Sequence, residues 1–469
     1  MTVRRVAAAL VAAAVLVGCS PSGSDGGGGR EGGGGVGPAG TVAEPVRGGS
    51  ARVGVWAEPD PEAPTLGGAA VRALVLPQLF VARPDGRWRP SLVVGGSDVT
   101  APDRRSATFR LRPGTWSNGA PVSADDLRRT ADARFVAGVD GPAPDGTVTV
   151  RFTQPLPGWR RLWSGVDSVG PPAPGVWGGP FVVGSHQRGL EVVLRRHDGW
   201  YGERGPFLDE LRLVLVPDDS IARRLLGRGE LDAVLPPAAT ARRSQLEALD
   251  GVEVAASEPD GGWWVGLLAR PDGLALERRR AVMATVDRQR FVETLLDGEA
   301  TEVRSLVAPD GPTWSSVVAG DARALRGATV ELVANVEEPM TGLLQRSMQK
   351  RARAAAGRIE LRNAESDRVE PWVAAGEYQA ALVTQYDSPV VCWTCRWAGV
   401  DEALARAADG GDRAAALALE AKLRDEAVLL PLWRPVPVVA WRTGLLGPSA
   451  NGYALSAAWN AWEWSRAAG

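Results

Sequence analysis

FRLRPGTWSNGAPVSADD, Phe109–Asp126, changes backbone chemistry several times within one short run. Thr108–Arg112 alternates apolar and polar residues as a half-buried strand does, and Pro113-Gly114 turns it. Ser117-Asn118-Gly119 is a second turn. Ser123 followed by Ala124-Asp125-Asp126 reads as a helix start, with a serine N-cap and acids in the first turn.

Working outward, Ala51–Trp56 is a short apolar strand followed by a Pro-rich stretch, Glu58–Pro64, and Val71–Phe80 reads as a helix. Thr147–Phe152, Val192–Arg195, Leu211–Val216 and Leu231–Val234 read as strands, and Ser220–Arg228 as a helix. After Trp263–Leu268, Leu276–Leu296 carries helix-period apolar residues. An orderly series follows: strand Ala328–Ala334, helix Thr341–Ala355, strand Ile359–Leu361, helix Val369–Ala375, strand Tyr378–Thr384. Such alternation predicts an α/β lobe with a partly parallel sheet. Ala414–Ala427 is a further helix, and Leu429–Trp441 an apolar strand region interrupted by prolines.

The N-terminus is of another kind. Arg4 and Arg5 precede an apolar run, Val6–Val17, too short to span about 30 Å of hydrocarbon, so a cleaved export signal is expected over 1–18. Leu16-Val17-Gly18-Cys19 matches the bacterial lipobox, which makes Cys19 the expected site of lipidation. Two acyl chains anchor stably, at about 0.8 kcal/mol per buried CH₂. Residues 19–47, rich in Gly and Ser, cannot form a core and read as a flexible tether reaching roughly 30 Å. A soluble body on the outer face of the cell membrane is the expectation.

Composition narrows the chemistry. The formal charge is 53 − 55 = −2, which argues against a nucleic-acid-coating protein. His186 and His197 are the two histidines, too few for imidazole metal sites, and no cofactor or metal is expected. There are 18 Trp against 7 Phe and 4 Tyr, so tryptophans are natural candidates for a binding surface. No G-x-S-x-G, HExxH or Walker A motif occurs, and paired acids such as Asp218-Asp219 lie at helix starts, where the helix dipole accounts for them. Catalysis is not expected.

The ordered motifs resemble the extracellular solute-binding proteins of the oligopeptide/dipeptide/nickel ABC-transporter family (family 5). Phe109–Asp126 resembles that family's long F-x-L-R-x-G signature. Gly179-Pro180-Phe181 with Arg195–Tyr201, Leu208–Val216 with Leu226–Ala233, Arg279–Arg288, and Leu430-Pro431-Leu432 through Gly447 resemble further family segments in the family's order. The resemblance implies an α/β, two-lobed periplasmic-binding-protein-like fold (type II) that closes on its ligand by hinge motion. By analogy, residues 48–75, 176–258 and 430–469 form the hinge-bearing domain of lobe 1, 76–175 a small appended domain, and 260–429 lobe 2.

It also implies a site. A peptide would lie extended between Trp56–Pro64 and Thr384–Pro389 by strand addition. Gln385-Tyr386-Asp387 aligns with the stretch where the family places an acid against the peptide's α-amine. Here that position is Gln385, and Asp387 lies on the same strand face. Glu58, Trp264, Trp393 and Trp433 complete the expected ligand-binding set, with Trp56 and Trp397 as further cleft aromatics. Partners implied are a peptide-like solute, ABC importer permease subunits with a cytoplasmic ATPase, and the membrane through the anchor; a monomer is expected.

Val391-Cys392-Trp393-Thr394-Cys395-Arg396 permits a structural disulfide, a thiol oxidoreductase or half a zinc site. No second CxxC exists for zinc, and an oxidising compartment favours a Cys392–Cys395 disulfide. Two alternatives to solute import stay open: a membrane-tethered thiol–disulfide protein using this pair, and a sensor or structural lipoprotein of the same fold.

Overall fold

The computed structural model describes residues 45–63, 65–165, 168–216, 218–236, 242–257, 263–296, 299–306, 314, 320–336, 340–386, 412–454 and 458–467. Cys19, Asp387, Cys392, Trp393, Cys395 and Trp397 lie outside them.

Two large mixed sheets organise the fold, and their strands are numbered here in sequence order. The first contains β1 (Ser50–Val55), β2 (Phe181–Gln187), β3 (Glu191–Arg196), β4 (Glu210–Leu215), β5 (Ala233–Leu235) and β6 (Val252–Ala256). The second contains β7 (Trp263–Ala269), β8 (Ala300–Glu302), β9 (Thr329–Asn335), β10 (Arg358–Ala364), β11 (Ala380–Tyr386) and β12 (Leu429–Pro435). β13 (Val438–Arg442) returns to the first. The orders are β6-β13-β5-β1-β4-β3-β2 and β8-β12-β7-β11-β9-β10. Parallel pairs occur in both sheets, β1 with β4 and β5, and β9 with β10 and β11, with β10 at the edge of the second.

The polypeptide passes between the sheets twice, after Ala256 and after Pro435. At their lobe 1 ends the passages meet, Ser257 N donating to Pro437 O at 2.9 Å. Leu429–Trp441, expected as one strand region of lobe 1 from residue 430, is therefore two strands in different sheets. β12 pairs with β7 and β8, and β13 with β5 and β6. Pro435 and Pro437 lack N–H donors, which is why neither sheet propagates through this stretch.

The opening stretch builds the small sheet beside lobe 1, where Ser106–Arg110 pairs with Thr147–Phe152. Ser123 caps the helix Ala124–Thr130 through Asp125 N at 3.3 Å, and Asp126 Oδ2 accepts from Ser123 N at 2.9 Å, closing a capping box. The same Oδ2 takes the indole N–H of fully buried Trp116 at 3.1 Å. Main-chain bonds from Thr115 N to Gly199 O and from Ser117 N to Trp177 O tie this stretch to lobe 1. The work of these residues is to hold domains together.

Two helices differ from expectation. The first runs Leu66–Val75, starting before Val71 because Thr65 caps it. Gly67 and Gly68 look like breakers but are required, since a Cβ on Gly67 would sit 2.1 Å from Glu58 O. Leu76, extended before Pro77, ends the helix. Leu276–Leu296 breaks near Thr285, whose Oγ1 turns back to Val282 O at 2.6 Å, and Asp287 recaps a new turn at Arg288.

Arg288 is central to lobe 2. Its buried guanidinium donates to Val303 O (3.1 Å), Pro431 O (2.9 Å) and Trp314 O (2.6 Å) and pairs with Glu302 at 2.9 Å. Pro431 flanks a register shift in β12, where Val265 pairs with Trp433 but Gly266 with Pro431. Burial lowers the pKa of Arg288, and Glu302 opposes that. Glu420 is the acidic counterpart, accepting from Trp314 Nε1 (2.5 Å), Leu306 N (2.9 Å) and Ser305 Oγ (3.0 Å). Burial pushes its carboxyl above the ordinary 4.5.

Arg288→Ala strands three carbonyls and Glu302, and urea unfolding should show a loss of about 3 kcal/mol. For Glu420 the sign follows from its raised folded-state pKa. The native state binds more protons than the unfolded polypeptide between 4.5 and that value, so this group's contribution falls as pH rises through the interval. Glu420→Gln lacks that slope. Its stability relative to the parent should improve with rising pH in a series of urea midpoints, and a pH-independent difference would contradict the assignment.

Candidate functional site

The strand register defines which ends of the two sheets face each other. Val55 of β1 pairs with Leu235 of β5, and Val234 pairs with Ala440 two residues into β13, so the C-terminal ends of β1 and β5 lie at the crossing. In lobe 2 the crossing opens onto Trp263, the first residue of β7, which pairs with Tyr386, the last of β11. Trp56 follows the C-terminal end of β1 in lobe 1, and Trp263 and Tyr386 end the β7–β11 ladder of lobe 2. Gln385 lies opposite Trp264 in the same ladder.

The loop after Trp56 is held from two sides. Glu58 Oε1 lies 3.1 Å from His186 Nε2, and its two oxygens accept from Gly189 N at 3.1 and 3.0 Å. Asp60 flanks the other ring nitrogen at 3.9 Å. On the inner side Arg72 donates to Pro61 O (3.2 Å) and Ala63 O (2.5 Å). Burial lowers the Arg72 pKa, while Glu62 and Asp60 oppose the shift. Glu58, expected to meet a cationic ligand group, has its carboxylate engaged by the β2–β3 hairpin. Those bonds hold the loop. No sequence pattern marks His186, Gly189 and Arg72 as site residues, because their partners lie 9 to 131 residues away and such contacts leave no local trace.

Trp264 and Trp433 also depart from expectation. Trp264 is 1% exposed, packed over Gly266 and against Leu429, in the lobe 2 core. Its indole N–H is buried without a hydrogen-bond partner. Trp433 is equally interior and stacks on Phe291 with centroids 4.8 Å apart. Both are core aromatics here, not cleft surfaces. Trp56 is half-buried beside the helix start at Asp219, whose carboxyl burial pushes up against the opposing pull of Trp56, Arg223 and Arg242.

Among the described residues no group of three or more His, Cys, Asp or Glu side chains could hold a metal ion, and no helix is long and apolar enough to cross a membrane. The arrangement offers strand ends, an anchored loop and a seam between two bodies, which suits enclosing a molecule.

Comparison with known proteins agrees. The family model for bacterial extracellular solute-binding proteins, family 5 (middle) matches residues 90–335, just over half of the chain. Protein XP55 of Streptomyces lividans is 28% identical over 302 residues, 56% of this chain and 53% of that protein, so the chain matches about half the length of this curated relative. Among solved structures, AgaA of A. tumefaciens R10 in complex with agropinic acid superposes with a TM-score of 0.75 at 17% identity, covering 90% of this chain and 99% of that one. The oligopeptide-binding protein AppA of Bacillus subtilis, in complex with a nonapeptide, gives 0.73 at 14% identity, covering 91% and 100%. The ABC transporter-associated periplasmic binding protein DppA of Helicobacter pylori, in complex with the peptide STSA, gives 0.68 at 15%, covering 90% and 99%. The likeness to these structures extends over both lobes, and the chain belongs to the bacterial extracellular solute-binding proteins of family 5.

Proposed function

We propose that this protein is a lipid-anchored receptor that captures a peptide-like solute between its lobes and delivers it to an ABC importer, without catalysis. The observation that carries the reading is the paired crossing after Ala256 and after Pro435, which joins two separately cored bodies at the edge where their strand ends meet. That is the geometry of hinge closure around a ligand. AppA and DppA, two similar structures solved with peptides, support the peptide class, and the association of DppA with an ABC transporter supports the importer partner.

The solute lies extended along β11 toward Pro389 and along the loop after Trp56, with main-chain groups giving affinity. Gln385 stands where an acid would bind an α-amine, and Glu58 is already engaged. A blocked or weakly cationic end therefore suits this site better than a free N-terminus. Cys19 carries the anchor. The first described residues enter beside the C-terminus, where Val46 bridges Arg466 and Arg466 pairs with Asp232 at 2.8 Å. That is the end of β1 remote from the crossing. Cys392 and Cys395 close a disulfide that shapes the loop carrying Trp393.

A thermal-shift screen should find N-acetylated peptides stabilising at least as well as free ones, by about 2.7 kcal/mol at 100 times Kd. Gln385→Asp should then improve free-amine peptides roughly tenfold, worth about 1.4 kcal/mol. No stabilisation by any peptide at millimolar concentration would sink the solute class. Cys19→Ser, expressed with its signal, should move the protein from the membrane fraction to the medium or periplasm, and retention at the membrane would refute the anchor.

A further inference from the structure

Glu299 stands at the seam and touches both lobes. It immediately precedes β8 in lobe 2, and its carbonyl oxygen accepts from Val436 N, in the second crossing, at 2.9 Å. Its side chain reaches the other way. Glu299 Oε1 accepts from the backbone N–H of Arg243 at 2.6 Å, and Arg243 opens the short helix Arg243–Glu247 of lobe 1. The glutamate is 8% exposed, so this charge-assisted bond is made largely away from water.

The lobe 1 side of the contact is shaped to receive it. Arg242, the residue before the helix, is left-handed at φ 44°, ψ 60°, and its side chain does not cap the helix. A non-glycine residue in that region costs on the order of 1–3 kcal/mol and persists only where its surroundings hold it. The first N–H of the helix, that of Arg243, is met by a carboxylate of the opposite lobe. The Arg243 guanidinium takes no part, pairing instead with Glu247 at 2.6 Å.

We propose that Glu299 is a hinge brace, a positioning residue that fixes the angle between the lobes by capping a lobe 1 helix from lobe 2, and so sets how readily the seam opens for solute. The position fits that role. Glu299 is held to the crossing through its own carbonyl, so the carboxylate moves with lobe 2 while its partner moves with lobe 1. In this role the 2.6 Å contact opposes rotation of one lobe against the other. The inference rests on the two-lobed capture reading for its purpose, but not for its test.

The test uses the full-length protein without solute. Hydrogen–deuterium exchange reads protection of Arg243–Glu247 and of the 436–437 crossing, and small-angle scattering reads the separation of the lobes. Glu299→Ala should speed exchange at the start of the helix roughly tenfold and increase the radius of gyration. Glu299→Gln, which keeps an acceptor but not the charge, should fall between parent and alanine variant and guards against a misfolded alanine protein. Arg243→Ala should behave as the parent, because the donor is the backbone amide. Faster exchange with unchanged scattering would reduce Glu299 to a local cap and overturn the brace, as would unchanged values of both. A separate peptide titration of the parent reports on solute capture, so failure of that reading is distinguishable from failure of this one.

Discussion

One run of polypeptide has to satisfy two hydrophobic cores. Leu429–Arg442 contributes Leu429, Leu430, Leu432 and Trp433 to lobe 2 and, after Pro435 and Pro437, Val439 and Trp441 to lobe 1. Both halves are buried, so neither lobe can be rearranged without withdrawing apolar surface from the other end of the same segment, at roughly 25 cal/mol per Å². The first passage must lie against it, and the Ser257–Pro437 bond shows that it does. Everything else follows from these neighbouring passages. The strand ends of β1, β5, β7 and β11 lie toward these passages.

Around that seam the charged groups are mostly engaged with the protein itself. Glu58 is held by His186 and Gly189, and Arg72 by the carbonyls of the loop it supports. This carboxylate is held by the His186 ring and the Gly189 amide, and withdrawing it would leave that amide unmet at a cost of about 1–3 kcal/mol. This is why a neutral Gln385 matters to the functional reading.

What could be read in the sequence was what is local. Ser123 and Asp126 close a capping box within four residues, and the alternation in Thr147–Phe152 reports one half-buried face. The β9–β11 series was legible because strand and helix periods alternate cleanly there. The misread features all depend on distant partners or on backbone choices that periodicity does not register. Thr285 breaks Leu276–Leu296 by bonding back to the preceding turn. Glu58 looks like a free loop acid until β2 and β3 place His186 against it, 128 residues away. Trp264 and Trp433 have the composition of a binding platform, yet only the packing of lobe 2 shows that they are interior.

The tryptophan excess then has a structural cause. Trp116 donates to Asp126, Trp159 to Thr100, Trp163 to Thr130, Trp314 to Glu420 and Trp464 to Asn460, each with its ring in a core. Phenylalanine would fill such volumes but could not satisfy those acceptors, and a tyrosine hydroxyl would place its donor at a different reach. These cores therefore use indoles to carry buried polar groups into apolar surroundings. Glu420 shows the consequence. A carboxylate can sit 1% exposed because Trp314, Leu306 and Ser305 supply its donors, and its raised pKa marks the desolvation that those bonds only partly offset. For these five of the 18 tryptophans packing and hydrogen bonding account for the indole, and aromatic content alone does not point to a ligand.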